Sequence, residues 1–378
     1  MSLYAHVTGW GKYVPSLVLT NDDLAKMVDT SDEWIVSHTG IRERRIAVGE
    51  ETTVYMSFHA ARDALALAGR GPKDLDLIIV STSSPDRQLP GASPMLQGML
   101  GATNAAAFDL RSGCSGFIYS MAVARQFILS GTYRCILVVG AEVVSRNLDW
   151  QDRRTCVLFG DGAGAVVMEA SETPGGVIFT AMGSQGKDYE ALTVKGGGSA
   201  YPMCPLTIER KWHTVELDGR KTAMFAVRTL LRRANQAVAG AELTWDDIEL
   251  FIPHQANLRL IEMASEKLGV PMERIFVNVD RYANMSTASI PVALAEAAEE
   301  GRIHPGDHVL LLAFGAGLAW ATAVIQWGGE GLQIERGSAW QRAWRKARQR
   351  MTGLMLDARL ALYEAQQRAR RARKKRKK

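Results

Sequence analysis

An internal repeat restricts the folds open to this chain more than any other feature. Residues 74–80 read DLDLIIV and residues 247–253 read DIELFIP, an offset of 173, and each follows a stretch with a helical apolar face. Both copies end on polar residues, Ser81-Thr82-Ser83 in the first and His254-Gln255-Ala256-Asn257 in the second. A strand whose C-terminal end opens on polar side chains is where an α/β sheet places its ligand-binding groups. Two copies therefore point to a duplicated α/β fold with a site between the halves. The length of 378 residues suits two units of about 165 residues with a remainder.

Up to about residue 330 the chain alternates short β-branched runs with longer Ala-rich stretches, the rhythm of an α/β protein. Strands are expected at 77–80, 135–140, 165–169, 250–252 and 308–313. Helices are expected at 54–68, 115–130, 222–239, 257–268 and 290–300. Thr20-Asn21-Asp22 reads as a helix start, and Gly69 and Gly269 as stops. The expected division is an N-terminal half at 1–172, a C-terminal half at 173–330 and a basic tail at 331–378.

Charge separates the tail from the body. Residues 331–378 hold 16 Lys+Arg against 3 Asp+Glu and carry +13, whereas residues 1–330 carry −8. The body is thus a poor general nucleic-acid binder, because such binding needs clustered cations that displace counterions. The four cysteines, 114, 135, 156 and 204, form no CxxC pair, which argues against a zinc site or a disulfide scaffold. No apolar run reaches the ~18 residues of a membrane span, and the start MSLYAHVTGW lacks a signal-peptide pattern, so a soluble cytoplasmic protein is expected.

Three constellations could support chemistry. Cys114 lies in Arg111-Ser112-Gly113-Cys114-Ser115-Gly116, where a helix start should favour the thiolate and supply N–H donors for an oxyanion. Its alternative is a buried structural cysteine, the reading preferred for Cys135 and Cys156. His254, in Pro253-His254-Gln255-Ala256-Asn257, follows a strand. The third is Tyr282-Ala283-Asn284-Met285-Ser286-Thr287-Ala288-Ser289-Ile290-Pro291, which reads as a polar loop with Ser289 as helix N-cap and leaves Asn284 unexplained. Gly160-Asp161-Gly162-Ala163-Gly164-Ala165 fits a dinucleotide fingerprint but leads into a strand, so a turn between strands is expected. Phe314-Gly315-Ala316-Gly317 suggests a turn whose backbone comes close to a ligand.

Taken together, GCSGF around Cys114, HQAN at 254, the N-x-S-x-A-S-I-P run at 284, GDGAGAVV at 160, FGAGLAW at 314 and DTSDEWI..TGIRER at 29–44 resemble β-ketoacyl-acyl-carrier-protein synthase III. The resemblance runs from about residue 3 to 327. It implies the five-layered αβαβα thiolase-like fold of two duplicated halves, as a homodimer. It implies an acyltransferase that takes an acyl group from acyl-CoA onto Cys114 and then decarboxylates malonyl on acyl carrier protein. The resulting carbanion attacks the acyl thioester to give β-ketoacyl carrier protein, initiating fatty acid synthesis. No cofactor or metal is implied beyond these substrates.

By the same resemblance, His254 and Asn284 hold the malonyl thioester oxygen, an asparagine being able to donate where an aspartate would repel. The amides of Cys114 and Ala316 form the oxyanion hole. Trp34 and Arg153 sandwich the CoA adenine, Asn257 touches pantetheine, and Arg259 and Lys267 face the acidic carrier protein. Leu89 closes the acyl pocket across the dimer interface and leaves room beyond acetyl. Two positions depart from the pattern: His38 stands where arginine is common, and Met285 replaces a threonine at the entrance to the site.

A thiol protease also uses cysteine, histidine and asparagine, but the ordered motifs have no place there. Nearer rivals within the superfamily are condensation of longer acyl-CoAs and simple acyl transfer in specialised lipid or secondary metabolism; Asn284 favours a decarboxylating condensation. In the tail, Trp340, Trp344, Ala347, Met351, Met355, Ala358, Leu362, Ala365 and Ala369 recur at helical steps. That face would pack on the body or lie on an anionic membrane, with carrier protein or nucleic acid as further partners.

Overall fold

The computed structural model describes residues 2–328 together with Leu354, Asp357 and Ala358. The chain opens with β1 (Tyr4–Tyr13), then pairs β2 (Leu17–Thr20) with β3 (Glu43–Ile46) around α1 (Asn21–Ala25) and α2 (Asp32–Thr39). There follow α3 (Thr53–Ala68), β4 (Leu77–Ser81), α4 (Ala92–Leu100), β5 (Ala106–Leu110), α5 (Gly116–Leu129), β6 (Cys135–Glu142), α6 (Arg153–Cys156) and β7 (Gly162–Ser171). From residue 176 come β8 (Gly176–Ser184), β9 (Leu192–Thr193), α7 (Pro205–Glu209), β10 (Glu216–Leu217) and α8 (Gly219–Gly240). The chain then forms β11 (Leu250–Pro253), α9 (Leu258–Leu268), α10 (Val279–Tyr282), α11 (Ser289–Glu299), β12 (His308–Gly315) and β13 (Ala319–Gln326).

Two sheets result, ordered β1-β7-β6-β4-β5 and β11-β12-β13-β8. The first is built from residues 4–171 and the second from 176–326. Their pairings match: β4 is parallel to β6 and β5, as β11 is parallel to β12 and, through a single bridge, to Ile275. The repeat in the sequence is β4 and β11 with their lead-in turns. Asp74 accepts the Gly71 N–H at 2.7 Å and Asp247 the Thr244 N–H at 2.8 Å, so the same aspartate caps the same turn in each copy.

The apolar runs are buried on both faces because each sheet lies between helical layers. Leu77, Ile79, Ile136 and Val138 face a core shared with α5, α11 and the second sheet, while Ile78, Val80, Leu137 and Val139 face α3 and α4. In β12, Val309 and Leu311 join the central core and Leu310, Leu312 and Phe314 face α8 and α9. The order α3/α4, sheet, α5/α11, sheet, α8/α9 is the five-layered αβαβα fold. Helix ends follow local chemistry: Thr20 caps α1 through the Asp23 N–H, worth ~1 kcal/mol. Gly69 and Gly269 end α3 and α9 in left-handed conformations.

Three expectations change. Ser289 is not the cap of α11 but its first residue, with φ −56° and ψ −46°, and its hydroxyl accepts the Met285 N–H at 3.0 Å. Gly160-Asp161 is not a turn between strands; it joins α6 to β7. The glycines there permit close packing, since a Cβ on Gly164 would meet the Pro291 backbone at 2.7 Å. Met285 does not shape an entrance, because its fully buried side chain packs with Tyr282, Ala288 and Val292 and against Gly162. Among the described residues no helix is long and apolar enough to cross a membrane. The helical face expected in the tail falls outside the described residues, apart from the exposed Ala358; Asp357 pairs with Arg62 of α3 at 2.6 Å.

Candidate active site

The segment after β5 cannot pass directly into a helix. Gly113, at φ +51°, turns the chain through a short 3-10 turn over Gly113–Ser115, and α5 begins at Gly116. This places Cys114 at the start of the central helical layer, against the hairpin that joins β12 to β13. The two segments leave no room for side chains: a Cβ on Gly315 would lie 2.7 Å from the Cys114 N and 3.1 Å from its Sγ. One on Gly113 would lie 3.0 Å from the Ala316 N. Sequence Gly-Cys and Gly-Ala are therefore a fitted pair across the two halves.

Cys114 is 5% exposed. Burial pushes its thiol up to about 11; a hydrogen bond from Ser286 and its own N–H oppose this, and the Glu142 carboxylate adds to it. Burial thus works against the thiolate that the helix start was expected to favour. A pKa raised in this way keeps the thiol neutral below about 11 and anionic above it. Alkylation of Cys114 by iodoacetamide should accordingly rise about tenfold per pH unit toward pH 11 and level off only above it. The exposed Cys204, whose pKa is lowered by bonding to Thr207, should be alkylated first at pH 8, as peptide mass spectrometry of a time course will read out.

His254 follows the last residue of β11. Its N–H donates to the Leu312 carbonyl at 2.7 Å, and its ring meets Phe314 edge-on at 5.3 Å. Burial pushes its pKa down to about 3, so it is neutral at physiological pH; its Nδ1 has no hydrogen-bond partner. Gln255, which the sequence did not single out, holds this strand end. It accepts the Asn278 and Val279 N–H groups and donates to the Pro253 and Phe276 carbonyls.

Asn284 is held by backbone bonds to Leu158 and Gly160, and its Oδ1 accepts the Ser286 N–H at 2.8 Å. With the oxygen taken, the amide NH2 is the end left free to donate. The loop is strained on both sides, at Ala283 (φ +56°) and Ser286 (φ +52°), as segments that fix a functional group often are.

Two cavities meet at Cys114. One of about 180 Å³ is lined by Cys114, His254, Asn284, Asn257 and Phe314, together with Ala223 and Ala226 of α8. The other, about 600 Å³, is lined by Cys114, Glu142, Ser286 and Ala316, with Arg111, Tyr119 and Val144 among its walls. Thus the three groups of the separate sequence constellations share one small cavity, and the thiol also faces a larger one. Leu89, expected to close an acyl pocket, is 87% exposed and lines neither cavity.

Trp34 of α2 and Arg153 of α6 come together, the guanidinium 5.2 Å from the ring centroid. His38 stacks on the same indole at 4.4 Å, and its Nδ1 donates to the Trp34 carbonyl. Asn257 caps α9 by accepting the Arg259 N–H, and its amide donates to the His38 carbonyl at 3.1 Å.

Arg259 has intramolecular work that the sequence did not show: it donates to the Ser37 and Val36 carbonyls and pairs with Glu262 at 2.9 Å. It therefore pins α9 to α2, and Lys267, exposed in the last turn of α9, is the freer of the two expected docking cations. The sequence marked α8 as a helix but did not single out the cations on its exposed face. Arg220, Met224, Arg228 and Arg232 recur every fourth residue on its exposed face, beside Gly219, Thr222 and Ala223 at the smaller cavity. The four-residue spacing was the available signal.

Two family models match the chain, "3-Oxoacyl-[acyl-carrier-protein (ACP)] synthase III" over residues 108–186 and its C-terminal partner over residues 238–327. The β-ketoacyl-[acyl-carrier-protein] synthase III of Roseiflexus sp. (strain RS-1) is 48% identical over 327 residues, which is 86% of this chain and 99% of that protein. The corresponding protein of Symbiobacterium thermophilum is 47% identical over 322 residues, 85% of this chain and 98% of its own. The crystal structure of 3-oxoacyl-[acyl-carrier-protein] synthase III from Aquifex aeolicus VF5 superposes with a TM-score of 0.80 at 42% identity, covering 85% of this chain and 100% of that one. With a buried thiol, a neutral histidine and an asparagine converging in a thiolase-like fold, the chain belongs to the β-ketoacyl-acyl-carrier-protein synthase III family, the acyl-condensing transferases.

Proposed function

We propose that this protein condenses an acyl-CoA primer with malonyl-acyl carrier protein to give β-ketoacyl carrier protein, CO2 and free CoA, the step that starts fatty acid synthesis. The observation that carries this reading is the convergence of Cys114, His254 and Asn284 on one cavity of about 180 Å³. Cys114 attacks the acyl thioester, and its own N–H and that of Ala316 receive the oxyanion. The acyl chain enters the larger cavity, and the malonyl thioester then occupies the smaller one. Loss of CO2 leaves an enolate, which the neutral His254 ring and the Asn284 amide stabilise by donating hydrogen bonds to its oxygen. A histidine kept neutral by burial donates without presenting a cation that would hold the malonyl carboxylate.

In this reading Trp34 and Arg153 hold the adenine of CoA, and Asn257 meets pantetheine beside the thiol. Carrier protein docks through Lys267 and the exposed Arg220, Arg228 and Arg232 of α8, because acidic partners are steered by such a face. A homodimer forms along β5, an edge strand with Phe108 and the neighbouring Leu89 exposed. Leu89 then reaches the partner's acyl cavity. A cytoplasmic location suits a nucleophile that must stay reduced. The +13 tail supports contact with an anionic membrane surface.

With acyl-CoA and carboxyl-labelled malonyl carrier protein, one labelled CO2 should be released per β-keto product. A β-keto product formed from two acyl-CoAs without malonyl carrier protein would overturn the reading in favour of head-to-head condensation.

A further inference from the structure

Glu142 is a carboxylate in an unexpected place. It ends β6 inside the fold, 1% exposed, and among the described residues no lysine or arginine pairs with it. Its partners are hydroxyls and one amide. Oε1 accepts the Ser83 N–H at 2.9 Å and the Ser286 hydroxyl at 3.3 Å, and Oε2 accepts the Ser84 hydroxyl at 2.5 Å. Ser84 is oriented for this because its Oγ accepts the Val143 N–H at 2.8 Å. A buried carboxylate with no cation costs stability and is a mark of a site with a task.

Ser286 links this group to the nucleophile. Its hydroxyl also lies beside the Cys114 thiol, whose ionisation it favours, and its backbone is fixed by the Asn284 Oδ1. Cys114, Ser286 and Glu142 line the same cavity. The other ionisable groups on that cavity are Arg111 and Tyr119, and His254 lies across Cys114 in the smaller one. None of these bridges thiol and carboxylate as Ser286 does.

We propose that Glu142, acting through the Ser286 hydroxyl, receives the Cys114 thiol proton when the cysteine is acylated. This rests on the reading of Cys114 as the acyl-accepting nucleophile. The Cys114 S–H proton passes to Ser286 Oγ as the Ser286 proton passes to a Glu142 oxygen. The Sγ–carbonyl bond forms and the bond from the carbonyl to the CoA sulfur breaks. The proton then returns along the same path to the departing CoA thiolate, so thiol and thioester exchange with no net proton change. Burial raises the Glu142 pKa, which makes the carboxylate a better proton acceptor, and burial also raises that of Cys114, which makes the thiol one that needs an acceptor. Glu142 thus acts on the thiol through Ser286, as a proton acceptor.

The test is the rate of acyl transfer from acyl-CoA to Cys114, followed by intact-protein mass spectrometry from pH 6 to 11. For the wild type, the logarithm of the rate should pass through a flat segment before its last alkaline rise, because moving the proton internally changes no net protonation. Glu142→Gln and Ser286→Ala should each be about 100-fold slower near pH 7.5 and should rise tenfold per pH unit without the flat segment. Ser286→Ala removes one hydroxyl and decides the matter if Glu142→Gln fails to fold. Wild-type rates and profile in Ser286→Ala, or a flat segment that survives in it, would overturn the relay. A wild-type protein that takes no acyl group on Cys114 would instead overturn the reading of the nucleophile itself.

Discussion

His254→Ala and Asn284→Ala should each lower decarboxylation of malonyl carrier protein by about 100- to 1,000-fold, the usual cost of removing one oxyanion donor, while acylation of Cys114 stays within a few-fold of wild type. The asymmetry follows from position. His254 and Asn284 line the smaller cavity, whereas the proposed acyl oxyanion donors are backbone amides at Cys114 and Ala316, the latter in the wall of the larger one. Single-turnover acylation by mass spectrometry and release of labelled CO2 separate the two half-reactions. Equal loss of both would mean that the donors are shared. Because burial holds His254 near 3, its protonation should produce no acid limb in decarboxylation between pH 5 and 8.

Gly315→Ala should reduce acylation by about 100-fold, since misplacing a reacting group by an ångström costs about that much. An added Cβ would stand 2.7 Å from the Cys114 N and 2.8 Å from its Cβ, contacts that only movement of the backbone can relieve. The contact joins β12 to the turn that carries the thiol. The loss should therefore appear in the acylation rate constant, with acyl-CoA affinity, which the proposed function assigns to Trp34 and Arg153, little changed. A Gly315→Ala protein of normal acylation rate would show that the hairpin is not what positions the nucleophile.

The residues that could be read from sequence are those whose role is set within a few neighbours. Gly69 and Gly269 ended their helices because a left-handed residue after an apolar run is a local necessity, and Asp74 and Asp247 marked equivalent turns. Strands such as β4, β6 and β12 were legible because burial on both faces demands continuous apolar runs. The candidate reactive groups stood out by their positions at strand ends and a helix start, and the structure brings them to one cavity.

What escaped depends on contacts far along the chain. The Cys114 thiol is governed by burial and by Glu142 and Ser286, which a helix-dipole argument does not see. Arg259 looked like a free surface cation until its bond to Ser37, 222 residues away, made it a staple between helices. Met285 shared a motif with Asn284 yet turns into the core, because the backbone reverses at Ala283 and Ser286. Side-chain direction at such a bend is set by tertiary packing.

Cys114, where the two cavities meet, is the proposed acyl acceptor. Intact-protein and peptide mass spectrometry after incubation with acyl-CoA, in the absence of malonyl carrier protein, measures it directly. One acyl group on Cys114, discharged when malonyl carrier protein is added and absent from Cys114→Ala, is the expected result. An unmodified protein, an acyl group on Cys204 alone, or a Cys114→Ala protein that still condenses would contradict it.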